Sequence, residues 1–115
     1  MSRPWSPSEL EKRAFELRRD LDEIVLSLPG LAEIAAQAKR AYRSRKAMAY
    51  LELRAQEPGW TVDEKKAHVD DVCGDAEMAD TIAEELLRSA RDRVRVGLAE
   101  QDFLRTMIVS HRAVT

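Results

Sequence analysis

The residues best suited to chemistry form the run Lys39-Arg40-Ala41-Tyr42-Arg43-Ser44-Arg45-Lys46, five positive charges in eight positions. No acidic residue stands between Glu33 and Glu52. On a helix, Lys39, Arg43, Lys46 and Tyr50 fall at i, i+4, i+7 and i+11 and share one face, with Tyr42 flanking the row. Cations in such a row neutralise phosphates and release counterions without reading sequence, and an aromatic ring stacks on an unpaired base for about 1–3 kcal/mol. Single-stranded nucleic acid is the ligand this ridge suits. The ridge equally fits a solvated face paired with acidic residues of the same chain, an acidic protein, or an anionic membrane surface.

A second basic set stands at Arg88, Arg91, Arg93 and Arg95, of which Arg88, Arg91 and Arg95 share a helix face at i, i+3 and i+7. Packed beside the ridge, this face would complete a groove. Ordinary surface pairing, with Asp92 close by, is the alternative. The residues expected to contact nucleic acid are therefore Lys39, Arg40, Tyr42, Arg43, Arg45, Lys46, Tyr50, Arg88, Arg91 and Arg95.

Other reactive side chains give weaker patterns. Glu64, His68, Asp71 and Asp75 lie at metal-ligand spacing for a helix, but Asp75 falls beyond the end of that helix, and a surface acid run explains the set. Glu77, Asp80, Glu84 and Glu85 resemble the Glu-rich helices of all-α nucleotide pyrophosphohydrolases, with Glu77-Met78-Ala79-Asp80 in the Glu-x-x-Asp form. Arg88 stands where that family carries a further metal-binding carboxylate, so no metal site is read. Cys73 is read as a small buried hydrophobe and His111 as part of a fraying C-terminus. Trp5 and Trp60 are read as packing anchors at helix ends. No nucleophile and base are paired, and no phosphate-binding loop or Rossmann glycine fingerprint is present. The expectation is a protein that is not an enzyme and that needs no metal or cofactor.

These residues must be positioned by helices. At 115 residues the chain fits one domain, and such a domain buries a modest core or completes it with a partner. Charged residues make up 35% and aromatics 5%, the mixture of long exposed helices and coiled coils. Ser6-Pro7-Ser8-Glu9 is a capping box with proline at the first helical position. Leu10, Ala14, Leu17, Leu21, Ile24, Val25 and Leu28 then follow at spacings of three and four. Leu28-Pro29-Gly30 predicts the end of this helix, and a second spans 31–56 with Leu31, Ile34, Ala35, Ala38, Ala41, Met48 and Leu51 or Glu52 along its seam. Glu57-Pro58-Gly59-Trp60 interrupts the chain. Thr61-Val62-Asp63-Glu64 repeats the capping box and opens a short helix over 62–73. A last helix over 76–109 has Ala79, Ile82, Ala83, Leu86, Ala90, Val94, Gly97 or Leu98, Gln101, Leu104 and Ile108 on one side, a sustained period that predicts coiled-coil-like packing. The fold class is all-α, an antiparallel helical hairpin or bundle with long coiled-coil-like helices. Its expected organisation is a single helical domain over 1–115, with a helical pair 7–56, a loop 57–61, a short helix 62–73 and a long helix 76–109.

Charge is segregated along this framework. Residues 34–56 carry 6 basic and 1 acidic side chains, and residues 57–85 carry 2 and 10. Opposite blocks can pair within the chain, between copies, or with other partners. The single Cys73 excludes an intrachain disulfide, nothing near Met1 reads as a signal sequence, and no apolar run approaches the roughly 20 residues of a membrane span. A cytoplasmic location without a spanning segment is expected.

The order of a basic helix with Tyr42 and Tyr50, a short loop, Glu64-Lys65-Lys66, and a long helix with Glu84-Glu85-Leu86-Leu87 and Phe103-Leu104-Arg105-Thr106-Met107 resembles small helical proteins of bacteriophage recombination modules. Over roughly 40–111 it is similar to the T4-type recombination mediators. That resemblance implies a small homo-oligomeric helical protein that binds single-stranded DNA and acts beside a recombinase or another protein partner. A mycobacterial secretion-type hairpin is excluded because Gly59 directly precedes Trp60, leaving no Trp-x-Gly turn. The expected function is a non-enzymatic accessory protein of phage recombination or replication. The alternative is a helical interaction or assembly module, recruiting a host factor or building a virion, with no nucleic-acid role.

Overall fold

The computed structural model describes residues 5–114, so the chain start at Met1, read above for a signal sequence, lies outside them. Three helices follow in order: α1 over Pro7–Gln56, α2 over Val62–Val72 and α3 over Gly74–Val114. Among the described residues there is no strand, and the all-α hairpin class holds.

The helix starts are built as the capping boxes require. Ser6 Oγ accepts from the Glu9 N–H at 3.3 Å, and Glu9 Oε2 accepts from the Ser6 N–H at 3.4 Å. At α2, Thr61 is extended with φ −68° and ψ 165°, and its Oγ1 accepts from the Glu64 N–H at 3.1 Å. Both arrangements satisfy backbone donors that a helix start leaves without partners. Between α2 and α3 only Cys73 intervenes. Its N–H closes α2 on the Val69 carbonyl at 2.9 Å, and its own carbonyl accepts from the Glu77 N–H at 2.9 Å. One residue therefore ends one helix and caps the next, so α3 begins at Gly74 rather than near Ala76, and it runs past Val109 to Val114.

The break predicted at Leu28-Pro29-Gly30 does not occur, and α1 is one helix of 50 residues with Pro29 inside it. A glycine cap ends a helix by adopting positive φ, and no glycine among the described residues does so. Stopping and restarting would leave several carbonyls and N–H groups without helical partners, whereas passing through proline removes one backbone bond. Replacing Pro29 by Ala restores that donor on an exposed turn and should raise the melting temperature, by up to roughly 3 kcal/mol of helix stability. Circular dichroism melts test this, and a lowered melting temperature would show that the proline is needed where it stands.

The chain divides into two compact units, one joining α1 up to Leu28 with α3 from Arg88, the other holding Pro29–Leu87. In the first, Leu10, Leu17, Leu21 and Leu104 form the buried cluster, with Ala14, Met107 and Ile108 against it. Arg13 joins Glu100 at 2.9 Å, and Arg112 reaches Glu11 at 3.6 Å, so the two helix segments run antiparallel. A Cβ on Gly97 would stand 3.1 Å from Leu21 Cγ and closer still to Cδ2. Gly97 is thus the point of close approach. Gly97→Val should overpack the seam and destabilise the fold by about 1–3 kcal/mol. A denaturant midpoint equal to wild type would contradict that.

In the second unit, Ala49, Leu53, Val69 and Cys73 are buried, with Tyr42, Trp60 and Val72 packed on them. The seam predicted here holds at Leu31, Ala35 and Ala38, which are buried or half-buried, and is corrected at Ile34, Ala41, Met48, Leu51 and Glu52, which are exposed, while Ala49 and Leu53 are buried instead. The governing pattern is a strict seven-residue recurrence: Ala14, Leu21, Leu28, Ala35, Tyr42 and Ala49 on α1 are all buried or half-buried, as are Ala83, Ala90, Gly97 and Leu104 on α3. Such a period keeps one narrow stripe toward a neighbouring helix. Ile82 and Leu86, which lie off that stripe, are exposed.

Candidate nucleic-acid interface

The basic ridge lies on α1 within the Pro29–Leu87 unit, beside the buried stripe of Ala35, Tyr42 and Ala49. That adjacency sorts the ridge residues into three groups.

Residues next to the stripe have partners in the protein. Lys39 Nζ pairs with Glu84 Oε1 at 2.5 Å, with both side chains about two-fifths exposed. Tyr42 packs on the Ala49, Leu53, Val69 and Cys73 cluster, and Lys46 Nζ sits 5.8 Å from its ring centroid, a cation–π contact. Tyr42, expected to face a base, is half-buried on the seven-residue stripe and packs against that cluster. On the other flank, Arg45 Nε donates to the Val72 carbonyl at 3.2 Å. This satisfies an orphan carbonyl at the negative end of α2, so Arg45 anchors α2 to α1.

Residues on the outer face point away from the stripe. Arg40, Arg43 and Tyr50 are exposed, and with Arg54 they fall at i, i+3, i+10 and i+14 on one side of α1. Arg54 was missed in the sequence because it lies beyond Glu52, outside the dense basic run. Its spacing of eleven from Arg43 and fourteen from Arg40 was the available signal. Among the described residues, no carboxylate lies within ion-pairing distance of Arg40, Arg43, Arg54, Arg45 or Lys46. Among the described residues, Lys39 is the one cation of the run that pairs with a carboxylate of the acidic block.

The remaining basic residues belong elsewhere. Arg88, Arg91 and Arg95 are exposed on α3 in the other unit, with Arg95 paired to Asp92 at 3.2 Å.

Among the described residues no three His, Cys, Asp or Glu side chains are placed to hold a metal. His68 meets the Trp60 ring edge-on, with centroids 5.6 Å apart. An open surface groove of about 300 Å³ between α1 and α2 is lined by Ser44, Arg45, Met48, Glu52, Gln56 and His68 among others. None of the described helices is long and apolar enough to cross a membrane.

The geometry defines an all-α hairpin protein with an arginine-bearing outer helix face. Neither a protein-family model, nor a curated protein, nor a solved structure matches the chain.

Proposed function

We propose that this chain is a non-enzymatic, cytoplasmic, oligomeric accessory protein that binds single-stranded nucleic acid along the outer face of α1. Arg40, Arg43 and Arg54 meet phosphates, and Tyr50 offers its ring to a base. The observation that carries this reading is the incomplete neutralisation of the ridge. A ridge answering the acidic 57–85 block would have its cations paired with those carboxylates, and among the described residues only Lys39 of the run Lys39–Lys46 is. Unpaired arginines lose no internal contact when they meet phosphate, and the counterions they release favour binding. The similarity to phage recombination mediators supports a place in recombination or replication. Fluorescence anisotropy with a labelled single-stranded oligonucleotide at low salt tests the reading. Binding that weakens steeply with added salt is the expected result, and no binding sinks the proposal.

The second reading, an assembly module with no nucleic-acid role, draws on the large apolar side chains left exposed, among them Phe15, Met78, Ile82 and Phe103. Association driven by burial of such faces would weaken far less with salt than phosphate binding does, which separates the two readings.

A further inference from the structure

The α1–α3 pair of the first unit encloses a groove of about 300 Å³. Ala14 and Ile108 form its floor, Phe15 and Val109 stand exposed along it, and Arg18 and Arg105 lie at its edges with Arg112. Arg112 already reaches Glu11. Arg18 and Arg105 meet no carboxylate among the described residues. An apolar floor between arginines, with no acid in the lining, is complementary to an apolar stripe bordered by carboxylates.

The chain itself carries such a stripe. Met78, Ile82 and Leu86 fall at i, i+4 and i+8 on α3 and are 64%, 53% and 55% exposed. Asp75 stands one turn before Met78, and the stripe lies within the block of 2 basic and 10 acidic residues over 57–85. Stripe and groove lie on the same continuous helix, and a helix cannot fold back onto itself, so the stripe that fills a groove must come from another molecule. We infer that the groove of Phe15, Arg18, Arg105 and Ile108 receives the Met78–Leu86 stripe of a second copy of this chain. Burial of those five apolar side chains supplies the affinity, and Arg18 and Arg105 facing Asp75 and the acidic block around the stripe set the register. Each copy carries both halves, so the contact either closes reciprocally into a pair or continues into a longer array.

This contact rests on the oligomeric part of the proposed function and uses none of the outer-face residues of its nucleic-acid surface, so loss of self-association and loss of oligonucleotide binding are read separately. Sedimentation velocity across micromolar concentrations should show wild type self-associating. The groove variant Arg18→Glu/Arg105→Glu and the stripe variant Ile82→Lys should each self-associate at least tenfold more weakly while keeping wild-type helicity. Mixed together, the two variants should recover heterodimers, since one retains an intact stripe and the other an intact groove, but nothing larger. A monomeric wild type at the highest concentration overturns the inference. So does undiminished association in either variant, or a mixture that does not recover. If the groove variant loses oligonucleotide binding while its sedimentation matches wild type, the groove takes nucleic acid, not a second copy.

Discussion

The triple variant Arg40→Gln/Arg43→Gln/Arg54→Gln is expected to abolish most single-strand binding while leaving the helices intact. Glutamine is a good helix former, and the three side chains hold no carboxylate partner among the described residues whose loss would loosen the fold. Each phosphate contact to a single strand contributes about 0.7 to the slope of log affinity against log salt, so losing three should flatten that slope by roughly 2. Tyr50→Leu should weaken binding by about 1–3 kcal/mol with the slope unchanged, because stacking releases no counterions. Tyr42→Leu and Lys39→Gln should behave differently. Tyr42 packs on the core and Lys39 faces Glu84, so the first should lower stability and the second should change it by less than about 1 kcal/mol. Anisotropy titrations at several salt concentrations, run beside thermal melts, distinguish these outcomes. A triple variant that binds like wild type would remove the outer face of α1 from the site.

Leu104→Ala is expected to cause the largest loss of stability of any single substitution proposed here. Leu104 is 2% exposed and meets the Leu10, Leu17 and Leu21 cluster. Truncating a buried leucine removes its transfer free energy and leaves a cavity, a cost of about 2–5 kcal/mol. Domains of this size have total stabilities of about 5–15 kcal/mol, so the loss is a large fraction of the whole. Gly97, the next position of the stripe, and Ala14, packed against the cluster, offer little volume to close the gap. Urea unfolding should show a midpoint shifted well below wild type, and hydrogen exchange should show lost protection around Leu10, Leu17 and Leu104. A midpoint within experimental error of wild type would mean that this cluster is not the core of its unit.

Much of the architecture was written in local chemistry. The capping boxes at Ser6 and Thr61 need only residues three positions apart, so both helix starts were readable, and the Glu57-Pro58-Gly59-Trp60 interruption was readable for the same reason. The basic run and the acidic block were equally plain. At Pro29 the local signal misled. Proline and glycine mark a stop only on average, and the comparison between one lost backbone bond and a fully uncapped pair of helix ends favours continuation. The seam was legible in principle, because Ala14, Leu21, Leu28, Ala35, Tyr42 and Ala49 recur every seven residues. Mixed three- and four-residue spacings over an alanine-rich helix obscured it, since alanine is tolerated on either face. That ambiguity carried into the site. Sequence spacing could place Lys39, Tyr42, Arg43, Lys46 and Tyr50 close together around one helix, but only the packing of α2 and α3 against α1 decided the rest. It drew Tyr42 into the core, tied Lys39 to Glu84 and Arg45 to the end of α2, and left Arg40, Arg43, Tyr50 and Arg54 facing outward. A helix repeats its faces by geometry alone, whereas which face is buried depends on what packs against it.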